Sequence, residues 1–593
     1  MHDSIRIDRD VEMEMRDGVL LRADIYRPDD KEKHPAIFSR AFHKGFGNNN
    51  MHLSIMHAVR AGYAVIAQVI RGRGTSDGEW KPENAGTVEA ADGYDSVEWV
   101  AAQSWCDGNV GVMGYSHAGG MAAQTAMENP PHLKAIAPWS SGVPPRQRGG
   151  GPGGFRPPNT GGAISLITAL VWLPNEAGDI VRRLARQGED VTEMRQALAW
   201  ARQNPEEYFN FLPLLDIPFV KFEQIGRLWK YRLQGLPGTE APEAEAEDKG
   251  TYEKVMVPCS HLCGWFDGVA SNSFESFQNM QQKGGSRQSR EGQHIISGPW
   301  AHMLDLPSHL GAINFGAEVG GTFGGVAPSA SSQLIAFFDK YLRGKDVRLP
   351  PVRYFLMGLN QWREADTWPL PQTKWQRYYL HSQGRANTSA GDGLLDCDEP
   401  GVESPDTFVY DPHNPVSTIG GGLVAAPAGF GLVAGPLEQS HLETRPDVLC
   451  YTSPALEQDM EITGPLEIHV FASTSARDTD FTAKLVDVYP DGRSHNLVDG
   501  IKRARGLKPE SRPELINPGE VYEFVITMGP TSQLFRKGHR VRIDISSSNF
   551  PLYDRNMNTG NPIGEDARGI IATQTIYHQT EYASYIDLPI IPG

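Results

Sequence analysis

The segment Gly114-Tyr-Ser-His-Ala-Gly119 sets a serine between small residues at positions 114 and 118, after the apolar run Val110–Gly114 and before the helix-forming stretch Ala118–Met127. A strand, a sharp turn and a helix in that order hold a serine hydroxyl at the tip of the turn, and the flanking positions must be small because the turn brings them together. Ser116 is therefore the candidate nucleophile of an acyl transfer. The first turn of the following helix leaves backbone N–H groups unpaired, so the N–H of His117 is a candidate oxyanion donor. Such a serine needs a histidine base and a carboxylate to orient it. Downstream, Val255-Met-Val-Pro leads to Gly264-Trp-Phe-Asp267-Gly268, and His294-Ile-Ile-Ser-Gly-Pro leads to Trp300-Ala-His302. Taken singly, Asp267 reads equally well as a turn aspartate bonding its own backbone, and His302 as a surface histidine. Their order after Ser116, each in a loop behind a strand, favours a Ser-Asp-His set.

The elements that must position these residues are those of an α/β fold. From Asp10 to about Ser141, apolar runs such as Pro35–Ser39 and Tyr63–Ile70 alternate with helical patterns, the texture of a mostly parallel sheet covered on both faces. Between them Ala90, Tyr94, Val97 and Ala101 fall at helical spacing and predict one buried stripe. From Val143 to about Lys254 the texture changes to a glycine-rich linker, Gly149–Gly154, and helical segments such as Val191–Gln203, as in an inserted cap. The α/β character returns with Lys254–Val257, His294–Ser297 and a helix around Gln333–Leu342. After Pro350 period-2 runs take over, among them Leu466/Ile468/Val470/Ala472, Phe481/Ala483/Leu485 and Val541/Ile543/Ile545, which predict a β-sandwich of jelly-roll type. The expected division is an α/β catalytic unit over 1–143 and 255–350, a helical cap over 144–254 and a jelly roll over 351–593.

The chain has 593 residues, with 55 Lys+Arg against 72 Asp+Glu and a formal charge of −17, which argues against nucleic acid as a partner. Its 63 glycines and 43 prolines fit a loop-rich globular protein and exclude coiled coil and collagen. The amino-terminal MHDSIRIDRDVEMEMRDG has no apolar core for a signal peptide, and Gly161–Leu173 is too short to span a bilayer, so the expected compartment is the cytoplasm, with no membrane partner. Five cysteines, an odd number, suit reduced thiols; Cys259-Ser-His261-Leu-Cys263 has no second Cys/His pair at ligand spacing, so neither a metal nor another cofactor is expected. The acidic tail Thr239–Asp248 reads as a solvated loop.

Across nearly its whole length the chain resembles the cocaine esterase, α-amino-acid ester hydrolase and X-Pro dipeptidyl-peptidase family of serine hydrolases, the CocE/NonD type. The resemblance rests on Arg16–Arg27, Arg71-Gly-Arg-Gly-Thr-Ser-Asp-Gly-Glu79, Asp92–Trp99, the Ser116 turn, Gly264-Trp-Phe-Asp267 and Gly298-Pro-Trp-Ala-His302. In the carboxy-terminal part it rests on Asp478–Leu485, Gly538–Arg542 and Ser547–Pro551. It implies an α/β-hydrolase domain, an inserted helical cap and a jelly roll meeting at one active site, with Ser116 as nucleophile, Asp267 as triad acid and His302 as base. The family places a tyrosine hydroxyl in the oxyanion hole; here Arg40-Ala-Phe-His43-Lys44 sets His43 at that position, where a neutral imidazole N–H can donate but brings pH sensitivity. His117 likewise replaces a tyrosine common after the nucleophile, where only the backbone N–H is needed.

The implied function is hydrolysis of a small-molecule ester or amide through an acyl-enzyme. Trp265, Phe266 and Val269 beside the acid loop and Trp172 in the cap are expected to line the substrate pocket. The alternatives are an X-Pro dipeptidyl-peptidase or α-amino-acid ester hydrolase, which would demand a free α-amine, and a catalytically silent binding protein on the same scaffold. Assembly into a homo-oligomer is compatible with all three.

Overall fold

The computed structural model describes residues 4–42, 55–81, 85–143, 161–234, 250–302, 308–320, 330–424, 431–507 and 514–593. His43, the linker Gly149–Gly154 and the acidic tail Thr239–Asp248 lie outside the described residues.

The first sheet is built from β1 (Ile5–Glu14), β2 (Leu20–Pro28), β3 (His34–Ala41), β4 (Ala64–Val69), β5 (Cys106–Tyr115), β6 (Leu133–Trp139), β7 (Cys259–Phe266) and β8 (Gln293–Ala301). A small hairpin, β9 (His309–Leu310) and β10 (Ile313–Asn314), stands apart, and β11 (Val352–Leu356) and β12 (Gln361–Ala365) complete the first sheet. Among the described residues its order is β1-β2-β4-β3-β5-β6-β7-β8-β11-β12, parallel from β4 through β11 and antiparallel at both ends. The central strands are buried along their length, which is why β3 and β4 read as near-continuous apolar runs.

The amino-terminal half of the fold carries helices α1 (Ile55–Arg60), α2 (Ala85–Ala101) and α3 (His117–Met127). Gly93 of α2 allows the close approach of α3: a Cβ there would stand 2.0 Å from the Thr125 hydroxyl. Between β6 and β7 the described residues include four helices of the expected cap, α4 (Leu166–Arg186), α5 (Thr192–Gln203), α6 (Pro205–Asn210) and α7 (Glu223–Gln234). The helix expected over Val191–Gln203 is α5, where Met194, Leu198 and Ala201 fall at helical spacing on one face, Leu198 and Ala201 buried and Met194 packed against the core.

Residues 374–591 form the second sheet, whose twelve strands among the described residues enclose a separate apolar core. The three period-2 runs read from the sequence all point into that core, Leu466, Ile468, Val470, Phe481, Ala483, Leu485, Val541, Ile543 and Ile545 each being at most 1% exposed. The fold is thus α/β, an α/β-hydrolase followed by a β-rich jelly roll.

Strands β11 and β12 lie past the expected boundary at 351 and extend the first sheet, β11 being a largely apolar strand that pairs in parallel with β8 (Val352 with Ile295). Two expectations are corrected. The strand expected at Lys254–Val257 starts at Cys259; residues 252–254 make a single 3-10 turn. The buried side of α2 keeps Ala90 and Val97 but leaves Tyr94 and Ala101 half-buried, and it hides Glu89, Asp92 and Ser96, which hydropathy assigns to solvent.

Two buried polar knots tie the second sheet together and to the cap. In one, His578 is fully enclosed between Glu403 (2.9 Å) and Asp406 (2.9 Å), while Asp406 also accepts from Tyr451 (2.8 Å) and Ser382 (2.7 Å). Burial alone would lower the imidazole's pKa, but the two carboxylates outweigh it and raise it above its ordinary value. A raised folded-state pKa gives stability that is complete below about 6.5, the value of an unperturbed histidine, and is lost as pH climbs through the folded value. The parent protein should therefore lose a few degrees of Tm between neutral and alkaline pH that the His578→Gln protein does not lose. Parallel Tm profiles of the two would remove the ion cluster as the cause.

In the second knot Arg503 bonds Asp480 through Nε (2.8 Å) and Nη2 (2.7 Å) and Asp554 through Nη1 (2.9 Å). Asp554 in turn accepts the N–H of Ile164 (2.6 Å), just ahead of α4. Backbone bonds Ile167 to Pro551, Arg503 to Gly161 and Leu215 to Gly564 complete the attachment of cap to jelly roll.

Candidate active site

Ser116 sits between β5 and α3 with φ 59° and ψ −125°, a left-handed backbone that costs a non-glycine residue about 1–3 kcal/mol and persists where the surroundings enforce it. They do so here: the Ser116 N–H bonds the Trp139 carbonyl (2.9 Å) and its carbonyl accepts from Gly120 (3.1 Å). Gly114 is obligatory, since a Cβ there would lie 2.1 Å from the carbonyl of Ala118. Gly119 is tight too, its missing Cβ standing 2.9 Å from the Trp139 carbonyl, so the close approach to β6 falls on 119.

Asp267 follows the end of β7 and His302 the end of β8, on neighbouring parallel strands, one strand pair away from the serine. A Cβ at Gly264 would be 1.9 Å from the Trp300 carbonyl, so glycine lets these two strand ends converge. The result is one hydrogen-bonded line: Ser116 Oγ to His302 Nε2, 2.9 Å, and His302 Nδ1 to Asp267 Oδ1, 2.9 Å. The same carboxylate oxygen accepts the Val269 N–H (3.0 Å), which fixes the acid's rotamer. The Asp267 side chain is wholly buried and that of His302 is 7% exposed, so the pair interacts in a low-dielectric setting. A carboxylate facing Nδ1 selects the tautomer with the proton there, leaving Nε2 free to accept from the serine hydroxyl.

Burial and the Asp267 charge push the Tyr115 phenol and the Cys263 thiol up, so both stay neutral beside the acid. The Tyr115 ring lies 5.0 Å from the imidazole of His302 and packs that side of it. On β7, His261 bonds Gln293 (3.0 Å) and burial lowers its pKa to about 4.

Of the residues expected in the pocket, Trp265 is committed to the core. It stacks on Phe274 and Trp368, its N–H bonds the Phe355 carbonyl (2.8 Å), and with Phe266 it is at most 2% exposed. Val269 contributes its backbone to the acid loop. Trp172 stays half-buried on α4, its ring 6.4 Å from that of Phe42. His117 opens α3, and its imidazole is stacked on Phe42 at 4.2 Å with Glu89 at 3.6 Å. Burial favours the neutral acid at Glu89, but His117, Arg40 and the Trp80 N–H outweigh it and leave this carboxyl below its ordinary range. Phe42, Trp80, Glu89 and Arg73 went unassigned by sequence reasoning. Arg73 lies inside the Arg71–Glu79 motif and Trp80 directly follows it, the one signal that could have singled them out.

Two family profiles match the chain. Residues 17–304 match X-Pro dipeptidyl-peptidase (S15 family), and residues 345–587 match the X-Pro dipeptidyl-peptidase C-terminal non-catalytic domain. The cocaine esterase of Rhodococcus sp. (strain MB1 Bresler) is 36% identical over 97% of this chain and 97% of its own length. This chain belongs to the CocE/NonD family of serine hydrolases. Two solved structures share the whole architecture of this CocE/NonD hydrolase. An aminopeptidase from a marine sediment Thaumarchaeota archaeon superposes with a TM-score of 0.77 at 22% identity, covering 99% of this chain and 96% of its own. An α-amino acid ester hydrolase superposes with a TM-score of 0.72 at 22% identity and the same coverage. At that identity the two structures speak for the fold. No helix among the described residues is long and apolar enough to cross a membrane.

Proposed function

We propose that this CocE/NonD serine hydrolase cleaves small-molecule esters by acyl transfer, with Ser116 as nucleophile, His302 as general base and acid, and Asp267 as the orienting carboxylate. The observation that carries the proposal is the unbroken line of two 2.9 Å hydrogen bonds from Ser116 to Asp267. His302 Nε2 takes the Ser116 proton as Oγ attacks the ester carbonyl, and Asp267 stabilises the imidazolium that forms. The negative charge of the tetrahedral intermediate falls to the His117 N–H at the head of α3, with the side chain of His43 as its proposed second donor. Collapse of the intermediate breaks the acyl–oxygen bond, the imidazolium returns its proton to the leaving alkoxide, and water repeats the sequence on the acyl-enzyme. Nucleophile, base and charge stabilisers are all supplied by the chain, so the scheme needs no cofactor. The half-buried Trp172 and Phe42 beside the strand–turn–helix elbow that carries Ser116 favour an apolar acyl group.

Ester preference is supported by the likeness to the protein named cocaine esterase. The profiles named for X-Pro dipeptidyl-peptidase support a second reading, in which the substrate is an N-terminal dipeptide. A fluorophosphonate probe with peptide mapping, run beside p-nitrophenyl ester and Ala-Pro-anilide assays, separates them. The expected result is a single adduct on Ser116 and ester turnover that does not require a free amine. Anilide turnover that vanishes on N-acylation of the substrate would favour the peptidase reading, and folded protein that takes no label would overturn the Ser116 assignment.

A further inference from the structure

Beside the elbow lies a group of side chains that acyl transfer by Ser116, His302 and Asp267 does not use. His117 Nε2 and Glu89 Oε2 are both buried, and neither has a hydrogen-bond partner among the described residues. The nearest approach of the two side chains is His117 Nε2 to Glu89 Oε1, 3.6 Å, which leaves the imidazole nitrogen just beyond hydrogen-bond distance of the carboxylate. A buried imidazole nitrogen left without a partner is costly, and the Glu89 carboxylate is the group beside it that can relieve that cost. Glu89 itself is only 1% exposed, and its Oε1 is oriented by the Trp80 indole N–H at 2.8 Å.

Glu89 addresses the edge of the imidazole, and one face of the ring is covered by Phe42, stacked at 4.2 Å with an interplanar angle of 29°. Behind Phe42 stands Arg73, its guanidinium 5.0 Å from the Phe42 ring and 4.8 Å from the Trp80 ring. Arg73 is anchored in turn by the cap, bonding Asp179 of α4 at 2.6 Å with Glu176 at 3.8 Å. A continuous stack therefore runs from the cap helix through Arg73, Phe42 and Trp80 to the residue that follows the nucleophile.

We propose that the His117 imidazole, clamped between Glu89 and Phe42, is a positioning residue that fixes the backbone N–H of residue 117 where the oxyanion forms, and that the cap secures this clamp through Arg73. The inference rests on the acyl-transfer reading above. An oxyanion donor works only when held within a few tenths of an ångström of its place before charge develops. Residue 117 is the first of α3 and follows a strained Ser116, so the helix ladder secures its carbonyl side while its N–H side depends on lateral contacts.

The test compares the parent protein with His117→Ala, His117→Phe and Glu89→Gln. It measures kcat and KM on a p-nitrophenyl ester, per site titrated with fluorophosphonate, and the affinity for phenylboronic acid, whose serine adduct carries an oxygen in the oxyanion position. His117→Ala should lower kcat by about 10-fold or more, with KM within about twofold, and should weaken phenylboronate in proportion. His117→Phe, which keeps the stack on Phe42, should recover part of that loss, and Glu89→Gln should lower kcat in the same sense. A purely structural role would reduce the number of titrated sites and leave kcat per site unchanged. Kinetics per site and boronate affinity within twofold of the parent in His117→Ala would overturn the clamp. Should that protein fail to fold, the near-isosteric Glu89→Gln decides on the same readouts. A parent that takes no label at Ser116 would bring down the acyl-transfer reading itself, an outcome distinct from a labelled parent with an indifferent His117→Ala.

Discussion

Ser116→Ala should reduce turnover of a p-nitrophenyl ester by about 10⁴–10⁶-fold, because the nucleophile, base and acid of such a set act as one unit and removing the nucleophile disables the whole. Fluorophosphonate labelling should disappear with it. The substitution removes one hydroxyl and its 2.9 Å bond to His302, and it leaves the φ 59° backbone held by Trp139 and Gly120, so the fold and Tm should change little. Residual activity within tenfold of the parent, measured on protein freed of any co-purifying esterase, would mean that another residue attacks the ester. His302→Ala should approach the same floor, and combining the two should add almost nothing, the signature of residues that share one step.

The second large effect is on stability. Arg503→Met should destabilise the protein by about 3–5 kcal/mol, because it leaves two buried carboxylates without their cation. The guanidinium is 2% exposed and makes three charge-assisted bonds to Asp480 and Asp554. Burial already pushes Asp480 up to about 6 despite the arginine beside it, so without that partner the carboxyl would take up a proton near neutral pH. Chemical denaturation measures the loss. Adding Asp480→Asn and Asp554→Asn to Arg503→Met should recover part of it, since the penalty comes from stranded charge rather than from lost attraction. An Arg503→Met protein as stable as the parent would show that water reaches the site and that the cluster is not truly buried.

Ser116 was legible because its signal is local: a glycine-flanked turn after an apolar run is written in consecutive residues, whereas Asp267 and His302 stood out only through their order behind it. The alternating runs of the jelly roll were legible for the same reason. What escaped is what depends on distant partners. Strand β7 carries Ser260, His261, two cysteines and Gly264, so hydropathy favoured the neighbouring Val255-Met-Val, although parallel pairing with β8 makes the former the strand. Glu89, Asp92 and Ser96 look like the solvent face of α2, yet each is buried, Asp92 by the guanidinium of Arg71 and Ser96 by the side chain of Gln68. Trp265 and Phe266 stand next to the acid and were natural pocket residues, but successive side chains of a strand point to opposite faces, and both faces of β7 are covered. Strands β11 and β12 follow the last predicted helix and precede the jelly roll, and only their partners decide which sheet they join.

The attachment of the cap to the jelly roll has a consequence for the order in which the protein is made. The bond from Ile164 to Asp554 joins residues 390 apart in sequence, and Ile167 to Pro551 is of the same kind. When the cap helices leave the ribosome, the surface they dock on does not yet exist. Closing a loop of that length is slow, and the faces of α4 and α7 that the jelly roll covers stay open for most of translation. The Ser116 turn and His302 are synthesised long before the stretch around Asp554, but the cap beside them is seated only when that stretch arrives. A ribosome that stops short of Asp554 therefore releases a protein with a sheet, a serine and an unseated cap.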